Sequence, residues 1–119
     1  MPFLVCKVNV PVSQDQEREL KARLGQAIAH IPGKNERGLL VCIEPDAHLW
    51  LAGNDDPIAY VEASVFANED HAGYRAFSVD TAAAFAEVLG IPQERVYVRY
   101  AEIPVWSVGE MLIDRRMFG

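Results

Sequence analysis

The sequence predicts an α+β fold of two tandem β-α-β units, with two helices on one face of a four-stranded sheet. Three observations predict it. Short apolar, β-branched strings such as FLVCKV and LLVCIE alternate with segments whose apolar residues recur at helical spacing. The order strand, helix, strand occurs twice. The string IPGKNERGLLVCIEP in the first half is answered by IPQERVYVRYAEIP in the second. At 119 residues the chain is sized for a single domain, residues 1–119, with halves at about residues 1–58 and 59–119.

The elements follow in order. Residues 3–10 read as a strand ended by Pro11. Ser13 and Gln16 have capping-box spacing and start a helix. Leu20, Leu24, Ala27, Ile28 and Ile31 share its apolar face, and Pro32-Gly33 stops it. Residues 39–44 form a second strand, and a short segment, residues 48–52, ends at Gly53-Asn54. Residues 58–67 are the next strand and residues 68–73 a polar loop. Phe77, Thr81, Ala84, Phe85, Val88 and Leu89 make the apolar face of a second helix, which Gly90 caps. Residues 95–101 are the last long strand, and the tail, residues 104–119, is irregular or short-stranded. Glu36-Arg37 and Glu94-Arg95 precede matching strands; Glu44 and Glu102 follow them.

Two helices joining strands of one sheet cover the same face. Strand residues such as Leu4, Cys6, Val41, Ile43, Ala63 and Val65 are apolar on whichever face they fall, so the uncovered face is expected to need burial. Other copies of the chain, sheets facing a shared centre, would supply it.

Composition narrows function. The net charge of −6 and pI near 4.9 argue against a nucleic-acid partner, which needs a basic face. No apolar run is long enough for a membrane helix, and the opening reads as a strand rather than a signal peptide. A cytoplasmic location is the expectation. Cys6 and Cys42 lie far apart in apolar runs and read as buried strand thiols. His30, His48 and His71 have no metal-ligand spacing and read as surface or core residues; neither metal nor cofactor is expected.

Pro2 is the first candidate for chemistry. Initiator methionine is commonly removed before a small residue, which would leave a secondary amine at the terminus. In an apolar pocket beside cations the ammonium form is disfavoured, so the amine becomes a base near neutral pH. Met-Pro openings are common, so the case depends on what accompanies Pro2.

The company is the opening MPFLVCKVNVP and Gly33-Lys34 after the first helix. With them come Gly53 and Asp56-Pro57, then Gly90-Ile91-Pro92 with Arg95-Val96-Tyr97-Val98-Arg99, and Trp106-Ser107-Val108-Gly109. On these residues the chain resembles, nearly end to end, the tautomerase superfamily of macrophage migration inhibitory factor and D-dopachrome tautomerase. The resemblance implies a β-α-β-β-α-β homotrimer, sheets inward, with active sites at subunit interfaces. Non-classical secretion is a further implication of it alone. It implies Pro2 as the catalytic proton shuttle of a keto–enol pair, and Lys34 as the cation that holds the substrate's carboxylate or polarises its 2-keto oxygen. Ser64, Val65 and Phe66 would end the strand flanking the pocket. Tyr97 would reach it from a neighbouring subunit, and Val108, Met117 and Phe118 would be apolar walls. Each has an ordinary alternative: Lys34 a solvated loop lysine, Tyr97 a core aromatic, the tail residues simple packing. Arg99, among apolar neighbours, would grip a carboxylate bidentately, as the arginine at the matching place of D-dopachrome tautomerase suggests, or pair with Glu102 or Glu44.

The sequence also departs from its relatives. Ile58 and Val61 stand in place of the C-x-x-C thiols, so no redox activity carries over. Phe66 replaces a smaller residue, and Glu110 stands where macrophage migration inhibitory factor has tryptophan. A carboxylate beside Pro2 would raise the amine's pKa. Three functions follow. The first is tautomerisation of 2-keto acids of the phenylpyruvate type. The second is hydration or dehalogenation of unsaturated acids, with Glu110 activating water and a protonated Pro2, as in the cis-3-chloroacrylic acid dehalogenase branch. The third is a non-catalytic, cytokine-like binding role. A monomeric ferredoxin-like domain is the structural alternative.

Overall fold

The computed structural model describes residues 1–118. Four strands, β1 (Pro2–Val8), β2 (Leu40–Glu44), β3 (Ala59–Phe66) and β4 (Val96–Ile103), form one sheet in the order β2-β1-β3-β4. β1 runs parallel to β2 and antiparallel to β3, and β3 runs parallel to β4. Helices α1 (Gln14–Ala27) and α2 (Tyr74–Leu89) lie against this sheet and share one core with it. The expected tandem β-α-β architecture is the observed one.

The local causes match the sequence. Ser13 Oγ accepts from the Gln16 amide at 3.1 Å, and the Gln16 side chain accepts from the Ser13 amide at 2.9 Å, closing the capping box of α1. Leu20, Leu24, Ala27, Ile28 and Ile31 are all buried. The α-helix ends sooner than Pro32-Gly33, at Ala27, and tightens into a 3₁₀ turn over Ile28–His30. α2 starts at Gly73, whose φ of 82° is left-handed; a β-carbon there would run into the His30 carbonyl. Gly90, also left-handed, caps its end as expected. Residues 48–50 form no strand; Leu51 and Asn54 make an isolated bridge about Ala52 and Gly53, both at positive φ, as in a tight hairpin turn. The tail is a hairpin, β5 (Val105–Val108) and β6 (Met111–Asp114), followed by a 3₁₀ turn, Arg115–Phe118. Gly119 lies outside the described residues.

The strands correct one expectation about the sheet. Leu4, Cys6, Val41, Ile43, Ala63 and Val65 all belong to the helix-covered side. The opposite face carries Phe3, Val5 and Lys7 of β1, Leu40, Cys42 and Glu44 of β2, Tyr60, Glu62 and Ser64 of β3, and Tyr97 and Arg99 of β4. It is therefore mixed, with apolar residues and charges in the same rows, because period-2 alternation sends the polar set outward. Cys6 is fully buried, which together with Cys42 pushes its thiol up to about 12; Cys42 is half-buried on the open face.

The repeat is real, but its letters are one residue out of step with its structure. The chain advances as far from Phe3 to its partner Leu40 as from Ala59 to its partner Val96. A 3₁₀ turn precedes each parallel strand, Glu36–Gly38 before β2 and Gln93–Arg95 before β4. Laying one turn on the other sets Gly38 on Arg95, Arg37 on Glu94, and Pro2, first in β1, on Ala59, first in β3. A one-residue shift reverses a strand's faces. Hence Glu44 and Glu102 are not counterparts: Glu44 is on the open face, and Glu102 is on the helix side, accepting from Tyr74 Oη at 2.7 Å.

Candidate active site

The first residues of β1 and the last of β3 meet at one end of the sheet. Pro2 pairs with Val65, Phe3 pairs with Ser64 and Leu40, and the Phe66 amide donates to the Met1 carbonyl at 3.3 Å. Because β2 is parallel to β1, its preceding turn arrives at the same end. That turn brings Arg37, Gly38, Leu39 and Leu40 to a cleft of about 430 Å³ lined also by Met1, Pro2, Trp106, Ser107 and Val108.

A second depression of about 280 Å³ is lined by Lys34, Phe66, Ala67, Arg115 and Phe118. The Phe66 and Phe118 rings meet edge to face with centroids 6.0 Å apart, and Lys34 Nζ stands 5.9 Å from the centre of the Phe66 ring. Phe66 joins the two depressions through its hydrogen bond to Met1. Ala67, with φ of 55°, turns the chain sharply away at the end of β3.

The electrostatics favour a neutral amine. Partial burial, and then the charge of Lys34, lower the pKa of the terminal amine carried by Met1. Burial also lowers the pKa of Lys34 itself. Arg115 pairs with Glu69 at 3.1 Å. Among the described residues the Arg37 side chain makes no hydrogen bond or ion pair.

The structure thus gathers Pro2, Lys34, Ser64, Val65, Phe66 and Val108 about one end of the sheet. Tyr97, Arg99 and Glu110 are not brought there within one chain. Tyr97, 54% exposed, pairs with Tyr60 toward the far end of the sheet. Arg99 donates to Tyr60 Oη and Glu62, each at 3.0 Å, rather than to Glu102 or Glu44. These bonds raise the pKa of its guanidinium, Tyr60 contributing most. Glu110 is exposed in the turn between β5 and β6. Met117 and Phe118 are exposed, with Phe118 against Phe66. Arg37, read in the sequence only as part of the repeated Glu-Arg pair, and Arg115 line the depressions. Arg37 sits three residues beyond Lys34 in a turn that leads into the strand beside Pro2, which is the signal that could have found it.

Another cleft, about 420 Å³, lies by Asn9, Asp46, His48, Trp50 and Asp55. It contains neither a terminal amine nor a Lys or Arg and is not the candidate. His71 is stacked on Tyr74 and 3.4 Å from Glu102, and His30 is 2.6 Å from Asp80.

A half-buried terminal amine lies at the strand end, its charged form disfavoured by burial and then by Lys34, in a sheet-and-helix fold that is that of the tautomerase superfamily. The family model for macrophage migration inhibitory factor (MIF) matches residues 1–111, and the chain belongs to that family. It is 28% identical over 109 residues to macrophage migration inhibitory factor of Meriones unguiculatus, covering 92% of this chain and 94% of the relative. It is 28% identical over 111 residues to D-dopachrome decarboxylase of Mus musculus, covering 92% and 93%. The crystal structure of Leishmania major MIF2 superposes with a TM-score of 0.88 at 25% identity, covering 95% of this chain and 97% of that one.

Proposed function

We propose that this protein is a keto–enol tautomerase of 2-keto acids such as phenylpyruvate, with Pro2, freed by removal of Met1, as the general base and acid. The observation that carries the reading is the environment of the terminal amine, half-buried and beside Lys34, which favours its neutral form. With Met1 gone, the amine belongs to Pro2 and the Phe66 amide loses its acceptor. In enolisation Pro2 N takes a proton from C3 of the keto acid as negative charge grows on the C2 oxygen. The Lys34 ammonium and the Phe66 N–H stabilise that oxygen, and the proton returns to it from Pro2. Ketonisation runs the same steps backward. Phe66, Phe118 and Val108 would receive an aromatic ring.

Assembly belongs to this reading. Val105, Val108, Met111 and Leu112 of the hairpin are exposed apolar residues, and Tyr97 is exposed far from its own Pro2. A homotrimer with sheets inward would bury the first set and let Tyr97 of one subunit approach the Pro2 of another. Light scattering should give three times the 13.2 kDa of the chain.

The deciding experiment compares ketonisation of enol-phenylpyruvate by wild type and Pro2→Ala at neutral pH, with intact mass checking loss of Met1. The variant should lose roughly 10²-fold or more, the usual worth of a positioned acid–base group. Equal rates in the two proteins would refute Pro2 as the base.

A further inference from the structure

The tautomerase reading accounts for Lys34 and leaves Arg37 without a role. Arg37 lines the same cleft as Pro2, on the β2 side, whereas Lys34 lies on the Phe66 side. The two cations therefore flank the start of β1 from different directions. Neither is neutralised there: Arg37 has no side-chain partner among the described residues, and no carboxylate lines either depression. In a chain of net charge −6, a region with two uncompensated cations and no lining carboxylate is not what average composition would place there.

The internal repeat shows what a basic side chain at this place does when oxygen atoms are available. At the corresponding start of β3, Arg95 donates to the carbonyls of Pro57 at 3.0 Å and Asp56 at 3.1 Å and to the Asn54 side chain at 2.9 Å. At the start of β1, Gly38 stands where Arg95 would be, with nothing within 4 Å of where its β-carbon would lie. Space is left around Gly38, next to Arg37, and the Arg37 side chain donates to no oxygen among the described residues. A guanidinium fork facing open space beside a proton-transfer site is matched by a carboxylate.

We propose that Arg37 binds a second carboxylate, so that the preferred substrates are dicarboxylic 2-keto acids. One end, the 1-carboxylate and 2-keto oxygen, meets Lys34 and the Phe66 amide; the far carboxylate reaches Arg37 between Gly38 and Trp106. This rests on the tautomerase reading for its chemistry but not for its binding.

Two ligands of equal carbon chain, 2-oxoglutarate and 2-oxopentanoate, separate the two claims. Binding is measured by calorimetry and exchange at C3 by proton NMR in D₂O, for wild type, Arg37→Ala and Arg37→Lys. Wild type should bind 2-oxoglutarate about ten-fold or more tightly than 2-oxopentanoate, a ratio falling toward one in Arg37→Ala and partly restored in Arg37→Lys, which keeps the charge and loses the fork. Unchanged melting temperatures show that the exposed substitutions leave the fold intact. A ratio that is the same in wild type and Arg37→Ala overturns the proposal, as does failure of 2-oxoglutarate to bind. Discrimination in binding with no exchange at C3 would leave Arg37 its carboxylate and remove the tautomerase reading instead.

Discussion

The start of β1 and the start of β3 are the same corner of the fold built twice, and only one of them is open. At β3 the entering chain is held from both sides. Asn9 donates to the carbonyls of Asp55 and Asp56 and accepts from the Ile58 amide at 2.7 Å, and Arg95 fills the remaining space. At β1 the position of Arg95 is a glycine, and the space is a cleft. Ala59, the counterpart of Pro2, is fully buried within a continuous chain. Duplicated architecture thus supplies two equivalent corners, and side-chain volume at one position decides which can admit a ligand.

Closing the open corner should have the largest effect. Gly38→Arg carries the Arg95 solution to β1, at a residue with no neighbour to clash against. The expected result is a loss of about 10²-fold in kcat/KM for enol-phenylpyruvate, the usual cost of misplacing substrate, with the melting temperature unchanged. Full activity in Gly38→Arg would mean that substrate does not use the cleft.

Lys34→Ala sharpens the electrostatic half of the contrast. Loss of the fixed cation should lower kcat/KM by about ten-fold or more. It should also move the pH profile. Lys34 lowers the pKa of the amine carried by Met1; the same fixed charge beside a Pro2 amine acts in the same direction, so its removal should raise that pKa. A base works only when neutral, and the acid limb of kcat/KM should therefore shift to higher pH. A limb that stays in place while the rate falls would separate substrate binding by Lys34 from control of the amine.

What could be read from the sequence follows from how local each signal is. The capping box at Ser13, the buried face from Leu20 to Ile31 and the glycine cap at Gly90 depend on neighbours within a turn or two, and all were legible. The faces of the sheet were less so. Alternation along β1 says that Phe3 and Leu4 differ but not which faces a helix, and an apolar bare face was expected where Lys7, Glu62 and Arg99 in fact lie. The repeat was legible as a pattern and misaligned as letters, since Glu-Arg matches by identity while the ladder fixes register by hydrogen bonds. Of the candidate site, Pro2, Lys34, Ser64, Val65, Phe66 and Val108 converge. Arg37 follows Lys34 by three residues in the turn before β2, and only the parallel pairing of β2 with β1 turns that spacing into a place beside Pro2. Glu110, suggested by the dehalogenase branch, is exposed in the turn between β5 and β6, outside the residues lining the cleft of its own chain.

The smallest effect is the most specific to the comparison. Arg95→Ala empties the closed corner and strips donors from the carbonyls of Asp56 and Pro57. Those carbonyls are near the surface and can turn to water, so the cost should be at the low end for charged hydrogen bonds, about 1–2 kcal/mol. For a domain of this size that lowers the melting temperature by roughly 4–8 °C, measured at fixed protein concentration in case subunits exchange. The variant then has a second opening, equivalent by the internal repeat to the one at Pro2. It should add no activity, because Ala59 is bonded to Ile58 and offers no amine. In Pro2→Ala/Arg95→Ala, enol-phenylpyruvate turnover should stay at the Pro2→Ala level. Recovery of turnover there would show that the cleft itself, rather than the terminal amine within it, performs the proton transfer.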